Sequence, residues 1–452
     1  MSNKDFIKAE NAQHMWHPMG HPAALRANQP KVISEAEGVN IRDIDGNWMI
    51  DGVGGLWNVN LGYSCDPIKQ AISDQLTKMP YYSGFAGTSN EPAVELSYEL
   101  AQFFAEDGLT RAFFTSGGSD SVESCLRLAR QYHKVRGETG RTKFMSLKLG
   151  YHGTHFGGAS VNGNARFRTA YEPLLPGCFH LPAPHVYRNP FNESNPEKLA
   201  QLCLAAAEEE IKFQDPNTVA AFIMEPIIGA GGIIPMPPSY IVGMREMCTR
   251  YGILFIADEV ITAFGRTGSW SGCRHYGIQP DMMSTAKAIT CGYFPFGAAM
   301  MSAQVQEVFE GNNDAIGSIG HGYTYSGHPV GAAAALACLA ETKRLKVNEN
   351  AAVRGNQVFK GLQALQAKYE VVGDVRGGEG LMSCMELVAD RDTKTPLDPA
   401  IGKKFGKICN DNGVMVRVAG HSIMVSPPLI ITEAETDKIL SALDAALAGI
   451  SE

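Results

Sequence analysis

From about residue 90 to residue 330 the chain alternates short apolar runs with stretches of helical periodicity, and this alternation restricts the fold more than any other feature. The runs "RAFFTS", "KFMSLKL", "VAAFIMEP", "GILFIADEV" and "DMMSTAK" read as strands buried on both faces. Between them Val122, Cys125, Leu126 and Ala129 recur at helical spacing, as do Ile241, Met244 and Cys248. Strands that alternate with helices imply an α/β fold, a mostly parallel central sheet covered on both sides. Outside this region the texture differs. "GVNIRDIDGNWMIDG" alternates around Asp45-Gly46, a hairpin signal. After residue 330 come an Ala-rich helix, the strand-like segments "VVGDVRGGEGLMSCMELV" and "GVMVRVAGHSIMVSPPL", and a last helix from Thr432. The expected division is a large domain over residues 66–330 and a discontinuous α+β small domain built from residues 1–65 and 331–452.

Composition excludes several classes. Hydrophobic residues make up 44% and charged residues 19% of 452, the balance of a globular chain with a large interior. A formal net charge of −8 argues against a nucleic-acid or anionic-membrane surface. Ten cysteines are scattered with no C-x-x-C pair, a pattern of reduced thiols. The polar start "MSNKDFIKAENAQHMWHP" has no apolar signal core, and "VGAAAALACLA" is shorter than the roughly 20 residues a membrane span needs. A cytoplasmic protein is expected.

In open parallel sheets ligands gather beyond the carboxyl ends of the strands, and four of the apolar runs end in something polar. "ILFIADEV" leads into Asp258, with Glu259 on the opposite face of the strand. In "FFTSGGSDSVESCLRLA" a turn through Gly117 and Gly118 leads into a helix at Ser119, whose free N–H groups form a seat for phosphate. "LGYHGTHFGG" offers Tyr151 as an aromatic face, and "FIMEPIIGAGG" ends its strand at Glu225. "PDMMSTAKAIT" places Lys287 among small and apolar neighbours, where a desolvated amine becomes a nucleophile toward a carbonyl. Each feature alone has an ordinary structural reading: a helix cap, a packing ring, a turn, an ion pair. Together they describe one ligand with a phosphate, a flat ring, a ring cation and an aldehyde, which is pyridoxal phosphate.

These blocks in this order resemble the class III, or ω-, aminotransferases over essentially the whole chain. "DEVITAFGRTG" followed by "STAKAIT" is similar to the family's core signature, and "YHGTHFGG", "MEPIIGAGG" and "HGYTYSGHPVGAAAA" match its other blocks. The resemblance implies a fold type I dimer with active sites at the subunit interface, a tetramer being the alternative. It implies that Lys287 holds pyridoxal phosphate and then shuttles a proton, and that Asp258 pairs with the ring nitrogen. Gly118 and Ser119 would bind the phosphate, completed by Thr324 of the other subunit. Tyr151 would stack on the ring, Glu225 would support the ring hydroxyl, and Val260 would join the cofactor pocket. Departures are modest: Ala288 stands where the family usually has Gly, Gly117 replaces Ser, and Asp120 stands where Glu is common.

For the substrate, Arg417 in "MVRVAGHSIMVSPPL" resembles the mobile arginine of subfamilies that use pyruvate, a fork suited to a carboxylate. Trp57 in "GGLWNVNLGY" resembles the aromatic wall of the same pocket, with Tyr82, Phe85 and Tyr323 as further candidates. The implied reaction is ping-pong transfer of an amino group from a primary amine or ω-amino acid to a 2-oxo acid, with pyruvate the favoured acceptor. The donor among amines, β-alanine, taurine and polyamines stays open, and so does an aminomutase or lyase on the same scaffold. His14, His17 and His21 in "HMWHPMGHP" lack the partners of a metal site, and no metal is expected. His152 and His155 read as loop histidines.

Overall fold

The computed structural model describes residues 2–85 and 87–451. Three N-terminal strands, Ile33–Glu37 (β1), Asn40–Asp43 (β2) and Trp48–Asp51 (β3), form an antiparallel run, with the β2–β3 turn at Asp45-Gly46. The centre is a seven-stranded sheet. Its strands are Leu109–Thr115 (β4), Lys143–Leu147 (β5), Cys178–Leu181 (β6) and Val219–Met224 (β7), then, beyond a ribbon of Ile227–Ile228 (β8) and Ile234–Pro235 (β9), Leu254–Asp258 (β10), Met282–Thr285 (β11) and Gly297–Ser302 (β12). Their order is β4-β12-β11-β10-β7-β5-β6. The pairs from β11 through β10, β7 and β5 to β6 are parallel, and β12 is antiparallel to both β11 and β4. All five apolar runs named above form strands of this sheet.

The period-2 pattern of β10 decides which way its carboxylates point. Leu254 and Ile256 pack into the cluster under the helix Gly118–Val135, with Val122, Cys125, Leu126 and Ala129. Phe255 and Ala257 pack on the other face, against Ile241, Met244 and Cys248 of the helix Pro238–Tyr251. Asp258 therefore follows the first face and Glu259 the second, where Glu259 accepts hydrogen bonds from the N–H groups of Gly272 (2.8 Å) and Cys273 (2.6 Å) and serves as a helix cap.

The C-terminal strands Val372–Gly377 (β13), Ser383–Asp390 (β14), Thr395–Pro396 (β15), Arg417–Ala419 (β17) and Ser422–Val425 (β18) form a second sheet. The short strand Val414–Met415 (β16) pairs parallel to β3, so the N-terminal hairpin and the C-terminal segment share one sheet. The Ala-rich stretch forms the helix Pro329–Arg344, and the last helix, Glu433–Ser451, starts behind Thr432, whose hydroxyl accepts from the Glu435 N–H at 3.3 Å. No helix of the described residues is long and apolar enough to cross a membrane.

Candidate active site

The parallel strands deliver their ends to one edge of the sheet. A cavity of about 380 Å³ opens there, and Gly118, Ser119, Tyr151, Glu225, Asp258, Val260 and Lys287 line it. That volume lies within the range of small-ligand sites. Leu56, Asn58, Thr290 and Phe294 complete much of the wall; the sequence carried no signal for them beyond their proximity to Trp57 and Lys287.

Lys287 follows β11 after one residue, Ala286, and opens a short helical turn, Lys287–Ile289, with a left-handed φ of 48°. A side-chain-bearing residue keeps that conformation only where its surroundings over-determine it. Burial pushes the Lys287 amine down to about 8, against the opposing pull of Asp258 and Glu225. Its Nζ lies 5.4 Å from the centroid of the Trp57 ring, and the guanidinium carbon of Arg417 lies 4.9 Å from the same ring. Trp57 is buried, at a positive φ of 58°, behind the turn through Gly54 and Gly55. Two cations thus share one aromatic ring, and among the described residues no carboxylate pairs with Arg417. Burial, and then the nearby Arg166, hold the Arg417 guanidinium below its ordinary value.

Asp258 is fixed by three donors. Its Oδ1 accepts from the Ser284 hydroxyl (3.0 Å) and the Val260 N–H (3.2 Å), and its Oδ2 faces His152 Nδ1 at 2.8 Å. His152 is therefore not the loop histidine expected: it is buried against Asp258, a contact between distant segments that no local pattern announces. His155 does stay at the surface and pairs with Asp120 at 2.6 Å. Glu225 uses both oxygens to hold backbone, accepting from the N–H of Tyr151 (2.9 Å) and of Gly229 (2.8 Å). Burial raises its carboxyl to about 7. The Tyr151 ring meets Phe167 edge-on, with centroids 4.8 Å apart.

The helix Gly118–Val135 begins without a side-chain cap, so the N–H groups of its first turn face the cavity edge unsatisfied. The Ser119 hydroxyl accepts from the Thr154 N–H at 3.2 Å, tying this helix start to the Tyr151 loop. Gly153, at φ +100°, makes the tie possible, since a Cβ there would sit 2.7 Å from Ser119 Oγ. Gly118 is also tight, with a Cβ position 3.0 Å from a Val260 methyl.

These residues fit pyridoxal phosphate. An uncapped helix start suits its phosphate, an amine softened by burial suits its aldehyde, and a carboxylate with three donors keeps one acceptor position for a protonated ring nitrogen. Of the predicted substrate residues, Trp57 adjoins Lys287 and Arg417 adjoins Trp57 without either lining the cavity, and three predicted residues lie elsewhere. Phe85 is 54% exposed, with its ring end at the Gly322 backbone. The Tyr323 hydroxyl donates to the Asp120 carbonyl (3.1 Å), and its ring lines a separate hollow with Glu123 and Arg127. Thr324 is exposed, and its carbonyl accepts from the Tyr81 hydroxyl at 2.8 Å. None of the three lines this chain's own cavity, because both loops run on the outer surface; Tyr82 is exposed there as well. In the N-terminal histidine segment, His14 contacts Glu10 at 3.1 Å and His21 caps a helix. Among the described residues no group of three His, Cys, Asp or Glu side chains could hold a metal ion.

Comparison with known proteins identifies the family. The profile described as "Aminotransferase class-III" matches residues 23–447. A probable gamma-aminobutyrate transaminase of Oryza sativa subsp. indica is 36% identical over 94% of this chain and 83% of its own length. A diaminobutyrate–2-oxoglutarate transaminase of Halomonas elongata is 35% identical over 93% and 91%. Among solved structures, an amine transaminase from an uncultivated Pseudomonas species, bound to pyridoxal phosphate, superposes with a TM-score of 0.95 at 44% identity, covering 96% of this chain and 98% of that one. An (S)-enantioselective ω-transaminase from Thermomicrobium roseum gives 0.96 at 36% identity over the full length of both.

Proposed function

The chain belongs to the class-III aminotransferases, transaminases that use pyridoxal phosphate in a fold of type I, and we propose that it transfers an amino group from a primary amine or ω-amino acid to pyruvate. The observation that carries this reading is Arg417 lying on Trp57 without a carboxylate partner, one ring away from Lys287. An unpaired guanidinium beside an apolar wall suits a site that takes a carboxylate in one half-reaction and an uncharged chain in the other.

Pyridoxal phosphate, when bound, supplies an aldehyde that a primary amine can join and a ring that accepts electron density. The residues of this chain do the rest. With its amine near 8, about a tenth of Lys287 is neutral at pH 7, against roughly 0.03% for an ordinary lysine. That makes Nζ both the nucleophile and the base that takes a proton from the substrate carbon and returns it. Asp258, held by His152, Ser284 and the Val260 N–H, would present its carboxyl group to the ring nitrogen. Glu225 fixes the Tyr151 loop, so the aromatic wall cannot drift. Trp57 shields Lys287 from water, and Arg417 orients the carboxylate of the oxo acid. Donor and acceptor use the site in turn, in ping-pong fashion.

A homodimer completes the reading. Tyr82, Phe85, Tyr98, Ile316, Ile319 and Tyr325 are exposed apolar side chains that a partner subunit would cover, and Thr324 and Phe85 beside them would serve the partner's cavity. The test is product identification. Cofactor-loaded protein with β-alanine, taurine or 1-phenylethylamine as donor and pyruvate as acceptor should release alanine in equal amount to the deaminated donor. Turnover with 2-oxoglutarate and none with pyruvate would overturn the acceptor assignment.

A further inference from the structure

A second cavity, of about 250 Å³, adjoins the first and shares Gly153 with it. Its walls are mostly apolar, with Met19, Phe156, Phe167 and Leu174 among them, and no acidic residue lines it. One charged side chain does, Arg166. Its Nη2 donates to the Met19 carbonyl at 2.8 Å, and its guanidinium carbon lies 6.0 Å from the Phe167 centroid. Among the described residues no carboxylate pairs with it. Its neighbour Arg168 is engaged instead, with His180 at 3.1 Å and Glu172 at 3.4 Å. From Arg166 the contacts run inward through Phe167 to Tyr151 on the wall of the first cavity. Arg166 also lies close enough to Arg417 to disfavour its charge. Two arginines without a carboxylate partner therefore lie near each other, and one of them, Arg166, lines an apolar annex of the first cavity.

We propose that Arg166 binds the distal anionic group of the amine donor, a carboxylate or sulfonate, while the donor's methylene spacer lies in the annex. This rests on the transaminase reading above and names the donor class within it: ω-amino acids longer than a β-amino acid. Like charges with no counterion favour a bound anion, because it relieves their repulsion as well as pairing with one of them. Arg417 is then left to the carboxylate of the oxo acid, so donor and acceptor are read by different guanidinium groups. An uncharged amine of equal length gains the apolar contacts and nothing from Arg166.

The experiment compares 6-aminohexanoate with hexylamine, both with pyruvate, in the wild type, Arg166→Leu and Arg166→Lys. Arg166 is exposed and anchors only one carbonyl, so folding is not at stake. Arg166→Leu should lower kcat/KM for 6-aminohexanoate roughly two- to fivefold, mostly through KM, and leave hexylamine unchanged; Arg166→Lys should keep most of the activity toward the acid. Equal effects on both donors, or none on either, would overturn the assignment. Absence of turnover with every donor would instead count against the transaminase reading, and binding then decides the inference. By calorimetry adipate should bind the wild type more tightly than hexanoate, and Arg166→Leu should abolish the difference. Equal binding of the two acids by the wild type would refute it.

Discussion

Replacing Arg417 with alanine separates the two substrates of the reaction. The guanidinium carbon sits 4.9 Å from the Trp57 centroid with no carboxylate to hold it, so its one strong partner would be the carboxylate of the oxo acid. A charge-assisted pair of hydrogen bonds to a partly buried carboxylate contributes about 1.5–3 kcal/mol. Losing it should lower kcat/KM for pyruvate about 10- to 150-fold. An uncharged acceptor such as butanal should lose nothing, since it makes no use of the guanidinium. A second effect follows from charge. Arg417 is one of the cations that depress Lys287, so its removal lets the lysine hold its proton to higher pH, and the acidic limb of the rate profile should move upward. The assay keeps an apolar amine saturating and varies pyruvate or butanal across pH, with Arg417→Lys as a control that restores charge without the planar fork. Equal losses for pyruvate and butanal would refute the clamp, and an unmoved pH limb would refute the coupling to Lys287.

Four further outcomes follow from the same geometry. Lys287 folds with its amine near 8 against an ordinary 10.5, so without cofactor the native state is penalised below about pH 8 and relieved as pH rises from there to 10.5; urea unfolding should find Lys287→Met more stable than wild type at pH 7, with the gap closing over that window. Glu225 has the opposite sign, its carboxyl raised from 4.5 to about 7, so the wild type should lose stability as pH rises through that interval and Glu225→Gln should not. Gly118→Ala places a Cβ 3.0 Å from a Val260 methyl at the phosphate seat; cofactor affinity should fall roughly tenfold, with recovery in the Gly118→Ala, Val260→Ala double variant, as a fluorescence titration would show. Arg266 is wholly buried and donates to the carbonyls of Leu381 (3.1 Å) and Pro427 (2.6 Å) and to Asn60 Oδ1 (2.7 Å), so Arg266→Met should cost about 3 kcal/mol or more in chemical denaturation, and a loss under 1 kcal/mol would contradict its role as a clasp.

What the sequence made legible follows from periodicity. The strand "GILFIADEV" puts Asp258 and Glu259 on opposite faces by its period of two alone, whereas the capping role of Glu259 shows only once Gly272 and Cys273 are folded against it. Lys287 was legible for the opposite reason, a charge where the surroundings are apolar. His152 was not, because its meaning lies in Asp258, which only the fold brings near it. Arg166 sits in the polar loop "GNARFRTAYEP", where an arginine reads as solvated; its isolation from acids and its closeness to Arg417 appear only when β17 is placed beside that loop. Arg266 lies inside the signature "DEVITAFGRTG", yet nothing local shows that it bonds to Asn60, Leu381 and Pro427 from three other parts of the chain. Phe85, Tyr323 and Thr324 were chosen by resemblance, and in a single chain they lie on the surface, where no spacing rule could have put them.

The central claim is that one cavity built around Lys287 takes an amino group from an amine and gives it to pyruvate. The half-reaction tests it most directly. Cofactor-loaded protein mixed with an amine donor alone should lose its visible cofactor absorbance within a single turnover, and pyruvate added afterwards should restore it with one equivalent of alanine. Absorbance that never changes with any donor, or that is lost and not restored by any 2-oxo acid, would contradict the account.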